Sequence, residues 1–565
     1  MSIADDLKGV IKGDVDVSEE TLTRASHDAS LFEVRPQVLV QPKDVEDVKK
    51  LVAYASEHPG VNLTARSAGT DMSGGPLTES VVVEFTKYFN RIKEVGDGYA
   101  VTEPGVYYRD FDKATLEKGG QIMPSYPASR ELCTVGGMAA NNSGGEKTLT
   151  YGKTERYIRR LKMVCADGNE YEFKPLTINE LQAKKGLNTF EGDIYRNMHQ
   201  LIDSHRDLID KARPLVSKNS CGYYLWNVMS NCDGWTSPIE YPMAPAHGHE
   251  CTFDLTKMIV GSQGTLGMIT EIEYALVKPK LHSHLLVVFL TDLKQLGETA
   301  THILQYKPES FESYDDQTLK VALKFLPQLM KQMGGNLITL GLEFIPEMMA
   351  VLEGGLPKLV LMAEFTADTD EEALKNALEA QASLKGFHEK TRVTKTENDE
   401  HKYWVIRRES FNMLRKHIHG VRTAPFIDDF VVLPEKLPEF LPKLYSILDP
   451  YKKDLTYTIA GHVGDGNFHI IPLMNLADEK AHKIIEELSV KVYELVHEYK
   501  GSITGEHNDG IIRTPYLPML FGPEMVALFA RTKNTFDPQN ILNPGKKVGG
   551  TFDDIKRDLI HPTAS

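Results

Sequence analysis

Cysteine is scarce, with 5 residues, at 133, 165, 221, 232 and 251, in a chain of 565. The number is odd and no pair has Cys-x-x-Cys spacing, which argues against an iron–sulfur cluster and for the reduced thiols of a cytosolic protein. An excess of positive charge is missing too. Lys and Arg total 64 against 79 Asp and Glu, a net charge of −15, and no basic stripe is visible, so nucleic acid is not a partner the composition supports. No apolar run reaches the ~20 residues of a membrane-spanning helix. The start, Met1-Ser2-Ile3-Ala4-Asp5-Asp6, has neither the basic flank nor the apolar core of an export signal. These absences lead to the expectation of a cytoplasmic chain, with peripheral contact on the inner face of a membrane left open. The length itself exceeds what one hydrophobic core usually supports, so two or more domains are expected.

The first half of the chain alternates strands with small-residue loops. A strand at 37–42 leads to Asp44, which caps a helix whose Val45, Val48, Leu51, Val52 and Ala55 recur at helical spacing up to His58-Pro59-Gly60. A strand at 61–65 enters the loop Arg66-Ser67-Ala68-Gly69-Thr70-Asp71-Met72-Ser73-Gly74-Gly75, whose exposed N–H groups can cradle an anion. After Pro124 comes a second loop, Thr134-Val135-Gly136-Gly137-Met138-Ala139-Ala140-Asn141-Asn142-Ser143-Gly144-Gly145, then Tyr151-Gly152. A third element reads Gly261-Ser262-Gln263-Gly264-Thr265-Leu266-Gly267-Met268-Ile269.

These three motifs, in this order, resemble the FAD-binding domain of FAD-linked oxidases and dehydrogenases of the vanillyl-alcohol-oxidase, or p-cresol-methylhydroxylase (PCMH), type. The resemblance implies an α+β chain in which the first loop (Arg66 to Asp71, Ser73, Gly74) and the second (Thr134, Gly136, Gly137, Ala140, Asn142, Ser143, Gly144, with Pro124 and Tyr151) hold the pyrophosphate and isoalloxazine. Gly264, Thr265, Gly267 and Ile269 would contact the adenosine side, and Asn543 lies in a tail similar to the family's C-terminal return to this domain. Some members tether FAD through a histidine where this chain has Thr70, so noncovalent FAD is implied. The expected organisation is a leader at 1–34, a PCMH-type FAD domain at 35–278, an α+β cap with an antiparallel sheet at 279–510, a return at 511–550 and a tail at 551–565.

The cap carries the chemistry. In Ala460-Gly461-His462-Val463-Gly464-Asp465-Gly466-Asn467-Phe468-His469, β-rich runs flank a Gly/Asp/Asn turn, the pattern of a hairpin. If Asp465 and Gly466 are its central pair, His462 faces His469 across the strands, roughly 5 Å apart at Cβ, a spacing from which two imidazoles can share one metal ion. Together with Gly505-Glu506-His507, this constellation resembles the D-lactate and D-2-hydroxyglutarate dehydrogenase group. The resemblance assigns His462, His469 and Glu506 to a divalent metal (zinc, iron or manganese) and makes His507 the general base for a D-2-hydroxy acid.

Helix residues Arg407 and Arg408 point about 100° apart, so only one is expected to enter the site, and Arg407 is the one expected to bind the substrate carboxylate. Asp428 and Asp429 stand where some relatives have a lysine, and two carboxylates would repel a second substrate carboxylate, so a D-lactate-like acid is favoured over D-2-hydroxyglutarate. Relatives with an Ile-Asp-Asp strand often continue into a ferredoxin-like domain. This chain stops soon after Lys546, so electrons are expected to go to an external quinone, cytochrome or flavoprotein, with a homodimer as the open option for assembly. The rivals are a transferase of the alkyl-dihydroxyacetone-phosphate synthase type and a non-catalytic flavin-binding subunit. Three further stretches are singled out: Lys218-Asn219 as a turn facing an anionic substrate, His247-Gly248-His249-Glu250-Cys251 as a polar loop rather than a second metal site, and the methionine-rich 325–356 as a helical pair.

Overall fold

The helix expected after Asp44 runs over Val45–Glu57, and the Asp44 carboxylate accepts the Asp47 N–H at 3.1 Å as its N-cap. Its buried face of Val48, Leu51, Val52 and Ala55 packs on Val38, Val40, Leu63, Val81 and Val83 of a four-stranded sheet. The sheet order is Asp14–Asp16, Val38–Gln41, Val81–Glu84, Leu63–Arg66, with the last three strands parallel. Part of the 1–34 leader is therefore built into this sheet, because Asp14–Asp16 pairs with Val38–Gln41 while Leu7 and Ile11 enter the same core. The computed structural model describes residues 2–232, 250–325, 356–387, 389–417, 421–476 and 478–560.

A second, antiparallel sheet follows in the order Ile92–Gly96, Tyr99–Thr102, Met268–Ala275, Ile158–Val164, Glu170–Phe173. The chain's end comes back to the first sheet: Leu63 N–H donates to the Ile541 carbonyl at 2.8 Å, and Asn543 N–H to the Leu63 carbonyl at 2.9 Å.

The cap is a seven-stranded antiparallel sheet in the order Lys390–Val393, His282–Leu290, Leu359–Ala367, Ser310–Asp315, Ile459–His462, Asn467–Ile470, Phe430–Val431. Alternation along its strands sends Leu286, Val288 and Leu361 to one face, under helices Leu296–Leu304, Leu437–Leu448 and Glu479–Glu498. Leu285, Val287, Val360 and Met362 go to the other face, against Tyr403, Trp404 and Ile406 of the helix Glu397–His417. A sheet covered on both faces explains the nearly continuous apolar run Leu285-Leu286-Val287-Val288.

Three expectations are corrected. The hairpin turn is four residues long, Val463–Asp465 as a 3-10 turn with Gly466 at φ 67°, so His462 pairs with Asn467 and Ala460 with His469. The slip is even-numbered, so both histidines stay on one face, as diagonal rather than direct neighbours. The helix before the Gly505-Glu506-His507 loop, expected from its sequence to run over about 477–500 and to end at Gly501, spans Glu479–Glu498 and turns through Lys500 at φ 54°; Gly501 serves instead to let the chain pass the Val431 carbonyl, which a Cβ would meet. Finally, Cys232 and Cys251 form a disulfide, because pairing of Met229–Ser230 with Thr252–Phe253 sets their flanks side by side; Cys133, Cys165 and Cys221 are buried free thiols. His247, His249 and residues 326–355 lie outside the described residues.

Candidate active site

Each ligand candidate sits at the end of a strand or on a loop pinned to one. His462 closes the strand Ile459–His462 and His469 lies in Asn467–Ile470, with ring centroids 5.2 Å apart. Glu506 and His507 follow a loop whose register is set by Asp429. That carboxylate accepts Glu506 N–H at 2.8 Å, His507 N–H at 2.7 Å and the Thr504 hydroxyl at 2.5 Å, while its other oxygen accepts the Asn467 side-chain amide at 3.0 Å. Potential ligand atoms of His462, His469 and Glu506 all lie within 4.8 Å of one another, and Glu506 is 3.1 Å from His462 Nε2. The expected set is thus assembled, in the N2O chemistry that leaves positions open for substrate. Two alternative triads draw on Asp428 or Asp429, but Asp429 already accepts four donors and Asp428 is occupied by imidazoles.

All three histidines set Nδ1 against a buried carboxylate, His462 and His469 by hydrogen bonds and His507 by an ion-pair contact outside hydrogen-bond geometry. His462 Nδ1–H donates to Glu312 at 2.7 Å, His469 to Asp428 at 3.2 Å, and His507 Nδ1 lies 2.7 Å from the other Asp428 oxygen. Such partners fix the tautomer and turn Nε2 toward a metal or substrate. Burial opposes charge on these groups, yet the field of their neighbours prevails. Asp429 and Asp428 lift His507 to about 9, Glu312 raises His462, and His507 and His469 hold Asp428 well below the usual carboxylate range. Lys218, 0 % exposed at its side chain, lies 2.6 Å from Glu506 and 3.3 Å from the turn residue Asp465. Lys218 and His462 keep Glu506 ionised against burial, so this lysine serves the acid rather than facing a substrate.

Asp428 and Asp429 also point inward, at histidines and backbone, which removes the repulsion argument against a dicarboxylate. The sequence drew attention to both positions, but as substrate neighbours; their service to the Gly-Glu-His loop needed the tertiary contacts. Glu312 carried no signal at all, being one acid in the strand Ser310–Asp315.

The arginine helix brings Arg407 and Arg408 to carboxylates. Arg407 pairs with Glu312, and Arg408 grips both oxygens of Glu146 at 2.7 and 2.6 Å. Arg407 Nε is buried with no hydrogen-bond partner among the described residues, a donor left for a ligand. Arg408 instead ties the cap to the FAD domain.

The glycine loops meet the cluster directly. A Cβ on Gly144 would lie 3.7 Å from Glu506 Cγ, and Asn141 Nδ2 donates to the Glu506 carbonyl at 2.8 Å. Ser67 to Thr70, Gly137 and Ala140 are partly exposed. The two loops meet at Gly137, where a Cβ would lie 3.3 Å from Thr134 and 3.5 Å from Ser67, and Asn142 Nδ2 is buried with no hydrogen-bond partner among the described residues. Partly exposed backbone and an unused buried donor in these loops fit the binding of a dinucleotide beside the donor set.

Other expected FAD residues are turned elsewhere. Arg66 donates to the Ala25 and His27 carbonyls, and Tyr151 donates to Glu309 of the cap. Asp71 accepts Ser73 N–H within its own loop, which Gly74 helps close at φ 82°. Thr265 donates to the Ser262 carbonyl, and Asn543 links Gly75 to Gln263. Pro124 and Gly136 are buried, the Ser143 carbonyl accepts the Ser125 and Thr154 hydroxyls, Gly264 takes φ 72°, and Gly267 packs on Met163. Ile269 lies in the strand Met268–Ala275. These residues shape the loops rather than expose a side chain in them.

Comparison with known proteins agrees with this layout. Residues 36–174 match the FAD binding domain model and 280–547 match the C-terminal domain of FAD linked oxidases. The chain is built from the two domains of the FAD-linked oxidases. The chain is 26% identical over 547 residues to D-2-hydroxyglutarate dehydrogenase of Pseudomonas putida, matching 95% of this chain and 50% of that protein, so it spans about half the length of that curated relative. It is also 26% identical to D-lactate dehydrogenase of Archaeoglobus fulgidus over 90% of this chain and 91% of the relative. Among solved structures, p-cresol methylhydroxylase superposes with TM-score 0.65 at 14% identity, covering 97% of this chain and 96% of that one. An alkyldihydroxyacetonephosphate synthase superposes with TM-score 0.61 at 14% identity, covering 96% and 84%. These likenesses establish the PCMH-type α+β fold. No helix among the described residues is long and apolar enough to cross a membrane.

Proposed function

We propose that the chain is an FAD- and divalent-metal-dependent dehydrogenase that oxidises a D-2-hydroxy acid to the 2-oxo acid. The observation that carries this reading is the convergence of His462, His469 and Glu506 within 4.8 Å, beside His507 and against the second glycine loop. Sequence relatives named for D-2-hydroxyglutarate and D-lactate support the substrate class. When bound, FAD supplies a hydride acceptor and a zinc, iron or manganese ion supplies a Lewis acid for the substrate hydroxyl.

The chain's own residues do the rest. Arg407 offers its unpartnered Nε to the substrate carboxylate. His507, with Nδ1 on Asp428, presents Nε2 as the base for the hydroxyl proton. Its neighbouring carboxylates hold it protonated, and a cation in the adjacent donor set acts in the opposite sense, toward the neutral form a base requires. Thr70 at the tethering position supports noncovalent FAD, and electrons then pass to an external acceptor.

A D-lactate-like monocarboxylate remains the favoured substrate, on a different ground from Asp428 and Asp429. Of the cations bordering the site, Arg407, Arg408 and Lys218 are each paired with an acid of the protein, Glu312, Glu146 and Glu506, and Lys153 is spent on the Asn219 and Gly505 carbonyls and the Ser220 hydroxyl. A second substrate carboxylate would have to displace one of those acids. The likeness in fold to an alkyldihydroxyacetonephosphate synthase favours a transferase as second reading. Anaerobic bleaching of the bound flavin by a panel of D- and L-2-hydroxy acids separates them: D-lactate should bleach fastest. Bleaching by L-acids alone overturns the stereochemistry, faster bleaching by D-2-hydroxyglutarate overturns the preference, and no bleaching by any acid returns the transferase or a non-catalytic subunit.

A further inference from the structure

Among the described residues, Glu312 is the one carboxylate that touches both the metal-ligand set and the arginine helix. It lies in the strand Ser310–Asp315, which pairs with Ile459–His462 through Ser313 opposite Gly461. That register brings Glu312 alongside His462, whose Nδ1 donates to one of its oxygens at 2.7 Å. The other oxygen is paired with the Arg407 guanidinium. Glu312 is fully buried, at 0 % exposure, and Arg407 nearly so. A buried carboxylate is costly unless both oxygens are held, and here one is held by a ligand imidazole and the other by a cation. Both contacts are direct. The position of the ring and the position of the guanidinium are therefore set by one planar group about two ångströms across.

We propose that Glu312 is a positioning residue that couples His462 to Arg407, so that metal affinity and recognition of the substrate carboxylate depend on one side chain. The inference rests on the metal-dependent reading above and extends it. By orienting His462 Nε2 toward Glu506, Glu312 strengthens metal binding; by holding one edge of the guanidinium, it leaves Arg407 Nε aimed at the ligand. Binding at either place orders the same carboxylate, so by linkage each stabilises the other. The other buried acids of the site do not share this property. Asp428 bridges two histidines and Asp429 holds backbone, and neither is paired with a guanidinium of the arginine helix.

The test uses the FAD-loaded full chain. Glu312→Gln keeps the shape and can still accept from His462, but loses the charge that holds Arg407. Glu309→Gln on the neighbouring strand segment is the matched control, since Glu309 is an equally buried acid paired with Lys147 and Tyr151 away from the donor set. Zn2+ affinity is measured by chelator competition, and KM for D-lactate separately from kcat, with flavin content confirming that each variant is folded. Glu312→Gln should weaken Zn2+ binding by about 10–100-fold, the range for outer-shell partners of metal ligands, and raise KM. Saturating D-lactate or its 2-oxo product should tighten Zn2+ in the wild type and lose that effect in the variant. Glu309→Gln should leave both unchanged. If wild type binds Zn2+ and Glu312→Gln binds it equally well, the coupling is overturned and the metal reading survives; if wild type binds no divalent ion, both fall. Should Glu312→Gln lose its flavin, the same comparison is made with Glu312→Asp, which retains the charge but shortens the arm: unchanged Zn2+ affinity there also overturns the proposal.

Discussion

The glycine loops of the FAD domain and the ligand cluster of the cap touch at Gly144 and Glu506, yet they are made in opposite ways. The loops work through missing side chains. Gly69 and Gly74 take φ 72° and 82°, and Gly137 leaves open the gap between Thr134 and Ser67. The cluster works through side chains whose aim is set by other side chains, Glu312 under His462, Asp428 under His469 and His507, Lys218 under Glu506. One device depends on local backbone freedom, the other on buried charges from distant segments. Cofactor and metal should therefore be separable by mutation even though their sites are adjacent.

The largest expected break in that comparison comes from His507→Ala, which should slow anaerobic flavin reduction by a D-2-hydroxy acid by ~10²–10⁴-fold, the range for a lost general base, while the flavin spectrum stays intact. Next is Asp429→Ala. It strands the Glu506 and His507 N–H groups and the Thr504 hydroxyl in a buried place, which should cost on the order of 3–5 kcal/mol in urea unfolding and reduce metal content more than FAD content. Equal loss of both would show that the two sites are one unit. From the other side, Gly69→Ala forces a Cβ into φ 72° and onto the Arg66 guanidinium, at a cost of about 1–2 kcal/mol. It should lower FAD content and leave Zn2+ affinity unchanged.

The last effect is electrostatic and concerns the sheet under the cluster rather than either site. Asp315 holds Ile459 N–H at the start of the His462 strand, and burial pushes its carboxyl up to about 6. Because this folded value lies above the unfolded one, the folded state keeps a proton that the unfolded state loses. The stability of the wild type relative to Asp315→Asn should therefore fall as pH rises from 4 toward 6 and level off above, by up to roughly 3 kcal/mol. A flat difference across that range would show the carboxyl to be ionised throughout.

Much of the site was legible before any fold was known, and the reason differs by region. The Val45–Glu57 helix and its Asp44 cap follow from local periodicity, and the three glycine motifs are contiguous strings. His462, His469, Glu506 and His507 stood out because residues with metal and proton chemistry cluster there. The hairpin register was off by two, since the extended 3-10 turn at Val463–Asp465 depends on Gly466 passing the Val432 carbonyl. The disulfide between Cys232 and Cys251 hinged on a short strand pairing that their surroundings do not announce.

By itself, then, the sequence determined the order of the two domains and singled out the glycine loops and the four residues, His462, His469, Glu506 and His507, that the fold brings together, because each is written in spacing along the chain. Only the tertiary structure decided what the acids do. Asp428 and Asp429, which look from the sequence like a barrier to a substrate, are turned inward as partners of His469, His507 and the Gly-Glu-His loop. Glu312, anonymous in its strand, joins His462 to an arginine of the helix that packs on the same face of the sheet. Buried charge is settled by whichever opposite charge or donor lies within hydrogen-bond reach, and that partner is chosen by sheet register and helix packing rather than by the neighbouring residues in the chain.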